Sequence, residues 1–264
     1  MNYKDLKPTE VFHWFKEISN IPRESGNEKE ISNFLVDFAK KRNLEYWQDD
    51  FLNVYIKKEA SKGFENYPEV LLQGHMDMVC VKENGSDHDF SKDPIELVVD
   101  GEWLRANKTT LGADDGIAVA YALAILDDEK ISHGPISVLI TTGEETSMVG
   151  VNNLDTKKLN DPKYLLNIDS EEEGILTIGC AGGMDIKYSF EKEYEKKDGE
   201  FISIELKNFQ GGHSGMEIDK YKLNAIKGLV RIIDGLDSYR IGKISGGVKR
   251  NAIPSSAPRV VLFA

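Results

Sequence analysis

Three short apolar runs constrain this chain more than anything else in it, because each ends in groups that do not belong in an apolar setting. "EVLLQGHMDMV" (69–79) runs into His75 and Asp77, "GPISVLITTGEE" (134–145) into Glu144 and Glu145, and "KYLLNID" (163–169) into Asp169. The runs are of strand length and β-branched or leucine-rich. Between the first two lies "GADDGIAVAYALAILDDE" (112–129), an Ala-, Ile- and Leu-rich helix buried on most of its sides. Strands alternating with a helix imply parallel pairing, and so an α/β architecture with a mixed sheet flanked by helices. In open sheets of this class, sites form beyond the carboxyl ends of the strands.

The first run poses the problem most sharply. In an extended chain, positions two apart share a face, so His75 and Asp77 are expected side by side. Burying them without partners costs several kcal/mol. One isolated carboxylate at a strand end is ordinarily a solvated turn residue. A set of such ends points to a ligand that compensates them all.

The flanking sequence is consistent with this architecture. "PTEVFHWFKEISNI" (8–21) has Val11, Phe12, Phe15 and Ile18 at helical spacing, with Thr9 expected as N-cap. "NEKEISNFLVDFAKKRN" (27–43) repeats the pattern through Ile31, Phe34, Leu35 and Phe38, with Asn43 ending it. "LEYWQDDFLNVYIKK" (44–58) alternates as strands. Past Gly182 the sequence reads as exposed antiparallel strands with a charged hairpin at "EKEYEKKDGE" (191–200). An amphipathic helix follows, with Leu223, Ile226, Leu229 and Val230 on its apolar face, and then a final strand. This gives two expected domains, 1–183 and 184–264, the second a partial α+β unit. The chain stops inside the last apolar strand, which suggests an unfinished domain.

Composition excludes some functions. A net charge of -12 argues against a nucleic-acid partner, which needs Lys and Arg for phosphates. No run approaches the roughly 20 apolar residues of a membrane helix. The charged N-terminus lacks the apolar centre of a secretion signal. The two cysteines, Cys80 and Cys180, are expected reduced and buried, which suggests a cytoplasmic protein. His13, His88 and His133 are expected at the surface.

His75, Asp77, Asp114, Asp115, Glu144, Glu145, Asp169 and His213 thus form the candidate set. One imidazole among several carboxylates is hard nitrogen-plus-oxygen ligation, suited to Zn, Mn or Co. The carboxylates outnumber the needs of one catalytic zinc. Two ions about 3.5–4 Å apart, sharing a carboxylate, would use them.

The ordered motifs "GHMDMV", "TTLGADDGIAVA", "TTGEETSMVG", "NIDSEEEG", "GCAGG", "GGHSG" and "RNAIP" resemble the M20 family of co-catalytic zinc peptidases, and within it the aminoacyl-histidine (Xaa-His) dipeptidase branch. The resemblance runs from about the first helix to the last residue. It implies a zinc-peptidase-like catalytic domain with part of a lid, two zinc ions per complete site (Mn or Co as alternatives), and hydrolysis of dipeptides of the Xaa-His type or of broad specificity.

By that resemblance His75, Asp114, Glu145 and Asp169 are metal ligands, with Asp114 bridging and followed by a cis peptide. Glu144 is the general base, and Asp77 orients the His75 ring. His213 and Asn251 contact substrate from the lid, and a homodimer is implied. Glu171, Glu172 and Glu173 are expected to be a solvated acidic turn. The family closes its dimetal site with a second histidine near its C-terminus, and no residue of this sequence matches it. On that ground a His75–Asp114–Asp169 ion is the one expected to form. An inactive remnant with weak metal binding and an N-acyl amino acid deacylase are the rival readings.

Overall fold

In the computed structural model the described residues are 3–159, 161–170, 173–179, 184, 186–191, 193–194, 196, 198, 201–215, 217–237, 239–247 and 252–263. The chain divides into two compact units, Met1–Ile178 and Gly179–Ala264. The first unit contains α1 (Thr9–Ser19), α2 (Lys29–Lys41), β1 (Glu45–Gln48), β2 (Val54–Lys58), β3 (Val70–His75), β4 (Leu97–Asp100), β5 (Trp103–Ala106), α3 (Ala113–Asp127), β6 (Ile136–Thr141), α4 (Val149–Asn152) and β7 (Tyr164–Asn167). Its architecture is mixed α/β, as the alternation of strand and helix implies.

The central sheet has the order β1-β2-β6-β3-β7. β1, β2 and β6 pair antiparallel, while β3 runs parallel to both β6 and β7. Both faces of the inner strands are buried, and the pleat sorts their side chains alternately. Val54, Ile56, Leu72, Val138 and Ile140 join the larger core with α1, α2 and α3. Tyr55, Leu71 and Leu139 point the other way, into a smaller cluster with Trp47, Leu154 and Leu159. Such two-sided burial explains why these strands read as continuous apolar runs rather than alternating ones. Each fully buried aliphatic or aromatic side chain contributes about 1.5–3 kcal/mol.

The helices are held by the faces their spacing predicts. α1 buries Val11, Phe15 and Ile18 as expected, and Trp14 as well, while Phe12 is only half-buried. Thr9 is not its N-cap. The extended backbone of Pro8 occupies that place, and Thr9 is already helical. α2 buries Ile31, Leu35 and Phe38. It ends through Asn43 at φ 55°, a left-handed conformation that asparagine tolerates. α3 is buried nearly all round, through Ala118, Val119, Ala120, Ala122, Leu123 and Leu126. Cys80 is half-buried rather than buried, because the chain leaves the sheet at His75 and neighbouring Val79 is exposed. Burial of its thiol raises the pKa to about 11.

The second unit holds β8 (Phe201–Leu206), β9 (Gly212–His213), α5 (Ala225–Asp234), β10 (Arg240–Ser245), β11 (Ala252–Ile253) and β12 (Ala257–Phe263). Three antiparallel strands in the order β10-β12-β8 pack against α5, and β9 pairs with β11. Asn224 caps α5 by accepting the N–H groups of Ile226 and Lys227. The buried stripe is Ala225, Leu229 and Ile233. Val230 is exposed because a single sheet face covers only one stripe of the helix, and Leu223, expected on that helix, lies before its cap and is exposed too.

Among the described residues of 184–198 none is in a strand. Ile186, Tyr188 and Phe190 alternate but are exposed, and alternation holds a strand only where one face is covered. Asn251, Cys180, Glu171 and Glu172 lie outside the described residues.

Candidate metal centre

Parallel pairing brings the polar ends of three strands together. His75, the last residue of β3, lies in register with Thr141, the last of β6, and Gln73 with Asn167 at the end of β7. The segments that follow each strand therefore leave the sheet at one edge. Glu144 and Glu145 lie three and four residues past β6, and Asp169 two past β7. The fourth arm comes from the start of α3, where Asp114 and Asp115 have non-helical backbone and share a cis peptide bond.

His75 is the centre of the cluster and is buried. Its Nδ1 lies 3.0 Å from the carbonyl of Asp77 and 3.3 Å from its carboxylate. Its Nε2 lies 3.1 Å from Asp114 Oδ1 and 3.9 Å from Glu144 Oε2. The main-chain N–H of His75 donates to Asp115 Oδ2 at 3.2 Å. Asp77 is past the end of β3, so the shared strand face expected for it and His75 is not what joins them. The segment just past the strand brings them together instead.

Asp77 is wholly buried and well satisfied. Ser25 donates its hydroxyl to Oδ2 at 2.7 Å, and the N–H groups of Glu144 and Glu145 donate at 3.2 and 3.3 Å. These donors hold its carboxylate beside the imidazole, 3.3 Å from Nδ1.

Among the described residues, two sets of potential ligand atoms lie within 4.8 Å of one another: His75 with Asp114 and Glu145, and His75 with Glu144 and Asp169. Both share His75. Asp169 thus groups with Glu144 around His75, and the His75–Asp114–Asp169 trio of the sequence reading is not among these sets. Asp115 is buried against the main chain of His75, whereas Asp114 is exposed.

The electrostatics suit a cation-binding site. Burial disfavours the charged His75 ring, but the hydrogen bond and charge of Asp77, with Asp115 and Asp169, outweigh it and raise its pKa to about 9. Burial raises Asp115 to about 7, with Asp169 and Asp114 adding repulsion against the opposing charge of His75. Burial, with Asp114 and Glu144 nearby, raises Glu145 to about 7. Glu144 is raised by burial and then by Asp169, Asp77 and Asp114. Asp77 alone moves down. Burial opposes its charge, but His75, Ser25 and the Glu144 N–H more than offset that. Several carboxylates held against their own repulsion around one imidazole form a hard donor set that a divalent metal would satisfy.

His213 lies in the second unit, on β9, and is exposed. Its Nδ1 accepts the N–H of Gly215 at 3.2 Å, and its own N–H donates to Glu217 Oε2 at 3.0 Å. Sequence reading overlooked Arg23, Ser25 and Glu28, three polar residues in the link between α1 and α2. "RESGNE" (23–28) reads as an ordinary polar connection, yet Arg23 and Glu28 are buried and Ser25 half-buried, while Glu24, Gly26 and Asn27 are exposed.

Residues 71–248 match peptidase family M20/M25/M40. The chain is 43% identical over 265 aligned residues to the cytosol non-specific dipeptidase of Escherichia coli, covering 98% of this chain and 54% of that protein. It is similar to the crystal structure of an aminoacylhistidine dipeptidase from Vibrio alginolyticus at TM-score 0.76 and 39% identity, over 100% of this chain and 55% of that one. A Staphylococcus aureus tripeptidase shares the fold at TM-score 0.54 and 20% identity, over 99% of this chain and 65% of that one. The chain thus spans about half the length of the curated Escherichia coli relative. With the strand-end cluster and the family match over most of its length, this chain belongs to peptidase family M20/M25/M40.

Proposed function

We propose that the chain carries the metal-binding and base-bearing part of a zinc-dependent dipeptidase. The observation that supports this best is the convergence of His75, Asp114, Glu144, Glu145 and Asp169 at one sheet edge, with two ligand sets sharing His75. His75, Asp114, Glu145 and Asp169 are the residues that would hold the zinc ions. Zinc in such a donor set polarises a carbonyl and acidifies a water molecule.

The remaining roles belong to the protein's own groups. Asp77 accepts the Nδ1–H of His75 and leaves Nε2 facing Asp114 and Glu144. Glu144 takes a proton from the attacking water and delivers it to the leaving amine. Its raised pKa brings it nearer the range in which a carboxylate does both. Nδ1 of His213 accepts from Gly215, so in the neutral ring Nε2 carries the hydrogen and is the donor for a developing oxyanion. Asn251 is a second substrate contact in this reading.

The substrates proposed are free dipeptides, in keeping with the names of the Escherichia coli and Vibrio relatives. A homodimer and a cytoplasmic location belong to the same reading. No helix among the described residues is long and apolar enough to cross a membrane.

Two measurements on the chain test the proposal together. Zinc calorimetry is expected to show binding that His75→Ala abolishes. A panel of free dipeptides against N-acyl amino acids is expected to show turnover of the dipeptides alone. Cleavage confined to the acyl amino acids would overturn the substrate class, and zinc binding unaffected by His75→Ala would overturn the site.

A further inference from the structure

The link between α1 and α2 reaches three of the four segments that bear a proposed ligand. Arg23 is buried, and its guanidinium forks between two of them. Nη1 donates to the carbonyls of Met76 at 3.0 Å and Asp77 at 3.4 Å, just past His75. Nη2 donates to the carbonyl of Gly112, two residues before Asp114. Ser25 donates to the Asp77 carboxylate at 2.7 Å. Glu28, also buried, accepts the N–H of Gly143 at 3.1 Å, immediately before Glu144 and Glu145. The main chain joins in, since the N–H of Met78 donates to the carbonyl of Arg23 at 3.0 Å.

Packing alone explains this poorly. A buried guanidinium carries a desolvation penalty of several kcal/mol, and an apolar side chain of similar volume is often as stable or more so. The Nε of Arg23 has no hydrogen-bond partner among the described residues. The surroundings are nonetheless hollowed out for the head group. A Cβ at Gly112 would lie 2.5 Å from Nη2 and one at Gly116 would lie 2.6 Å from it. Gly112 also takes φ 68°, which an L side chain rarely adopts. The charge is set among Asp77, Asp115 and Asp114, beside the candidate ligands. A rigid planar fork can hold two loops at a fixed separation, and a single ammonium cannot.

We propose that Arg23, seconded by Ser25 and Glu28, is a positioning clamp that fixes the His75, Asp114 and Glu144–Glu145 loops relative to one another, and so sets the geometry of the ligand atoms. The clamp rests on the metal-site reading above for its purpose, but its mechanical content can be tested without metal.

Arg23→Lys keeps the charge and removes the fork. Gly116→Ala leaves Arg23 intact and crowds its head group. Amide hydrogen exchange of the metal-free chain is expected to quicken together in 75–79 and 111–116 in both variants, while α2 stays protected. Zinc calorimetry is expected to show affinity about 10- to 100-fold lower in both, the loss usual when a group supporting metal ligands is removed. Unchanged exchange in the two loops, or acceleration spread evenly through α2, overturns the clamp. So does unaltered zinc affinity in Arg23→Lys. If the unsubstituted chain binds no zinc, the metal-site reading fails and the exchange comparison alone decides the clamp.

Discussion

The main-chain N–H of Glu144 donates to Asp77 Oδ1 at 3.2 Å, so the proposed base stands on the carboxylate that orients the proposed histidine ligand. Glu145 is held by the other oxygen of the same group at 3.3 Å. One buried side chain thereby couples the end of β3 to the loop after β6. Disturbing it should be felt on both sides.

Asp77→Asn tests that coupling. The carboxylate accepts from Ser25, Glu144 and Glu145 and faces the His75 ring, and an amide can offer only one oxygen to them. A buried donor left unsatisfied costs about 1–3 kcal/mol. Chemical denaturation should show a loss of that size, and zinc affinity should fall about 10- to 100-fold. A variant that binds zinc like the parent would refute the orienting role.

Glu144→Gln separates base from ligand, since Glu144 also stands in one of the two ligand sets. As a base, its loss should lower dipeptide turnover by about 10²- to 10⁴-fold and leave zinc affinity unchanged. If calorimetry shows affinity falling along with turnover, Glu144 is a ligand and the assignment is wrong.

Glu145→Gln should trade metal binding for stability, and pH should reveal it. Burial and the neighbouring Asp114 raise the Glu145 pKa from 4.5 to about 7. A carboxyl raised in the folded state favours the protonated form. Its contribution is complete below about 4.5 and is lost as pH rises to about 7. The neutral amide escapes that loss. In EDTA, the melting temperature of Glu145→Gln should exceed the parent's at pH 8, with the gap closing toward pH 4.5. With zinc present the order should reverse. A variant less stable than the metal-free parent at pH 8 would contradict the raised pKa.

Gly74→Ala should disturb the site from within the sheet. The added Cβ would collide with Asp115 Oδ2 and come within 2.8 Å of the Ala118 Cβ. Overpacking of this kind costs about 1–3 kcal/mol. Because Asp115 Oδ2 accepts the N–H of His75, the damage should extend to zinc binding. A thermal melt matching the parent's would mean that α3 can retreat from β3 at no cost.

The sequence by itself determined the elements and their class. Apolar runs of strand length and a helix with no polar face are local facts, visible wherever side-chain period and composition suffice. The acidic and imidazole ends of those runs were legible too, since each departs from its own apolar context. The ordered motifs were specific enough to indicate the family. The burial stripe of α5 was less legible, because spacing gives an apolar face but not how much of it a neighbour covers.

Tertiary structure alone decided how the site is held. Which strands pair in parallel fixes that the ends of β3, β6 and β7 meet at one edge, and no strand carries that information by itself. The support of Asp77 comes from Ser25 and from the main chain of Glu144 and Glu145, on other segments. Arg23 reaches Met76 across 53 positions and Glu28 reaches Gly143 across 115. Contacts so distant leave no periodic trace in the chain. A buried arginine in a polar link reads as a surface loop until the fold closes carbonyl groups around it.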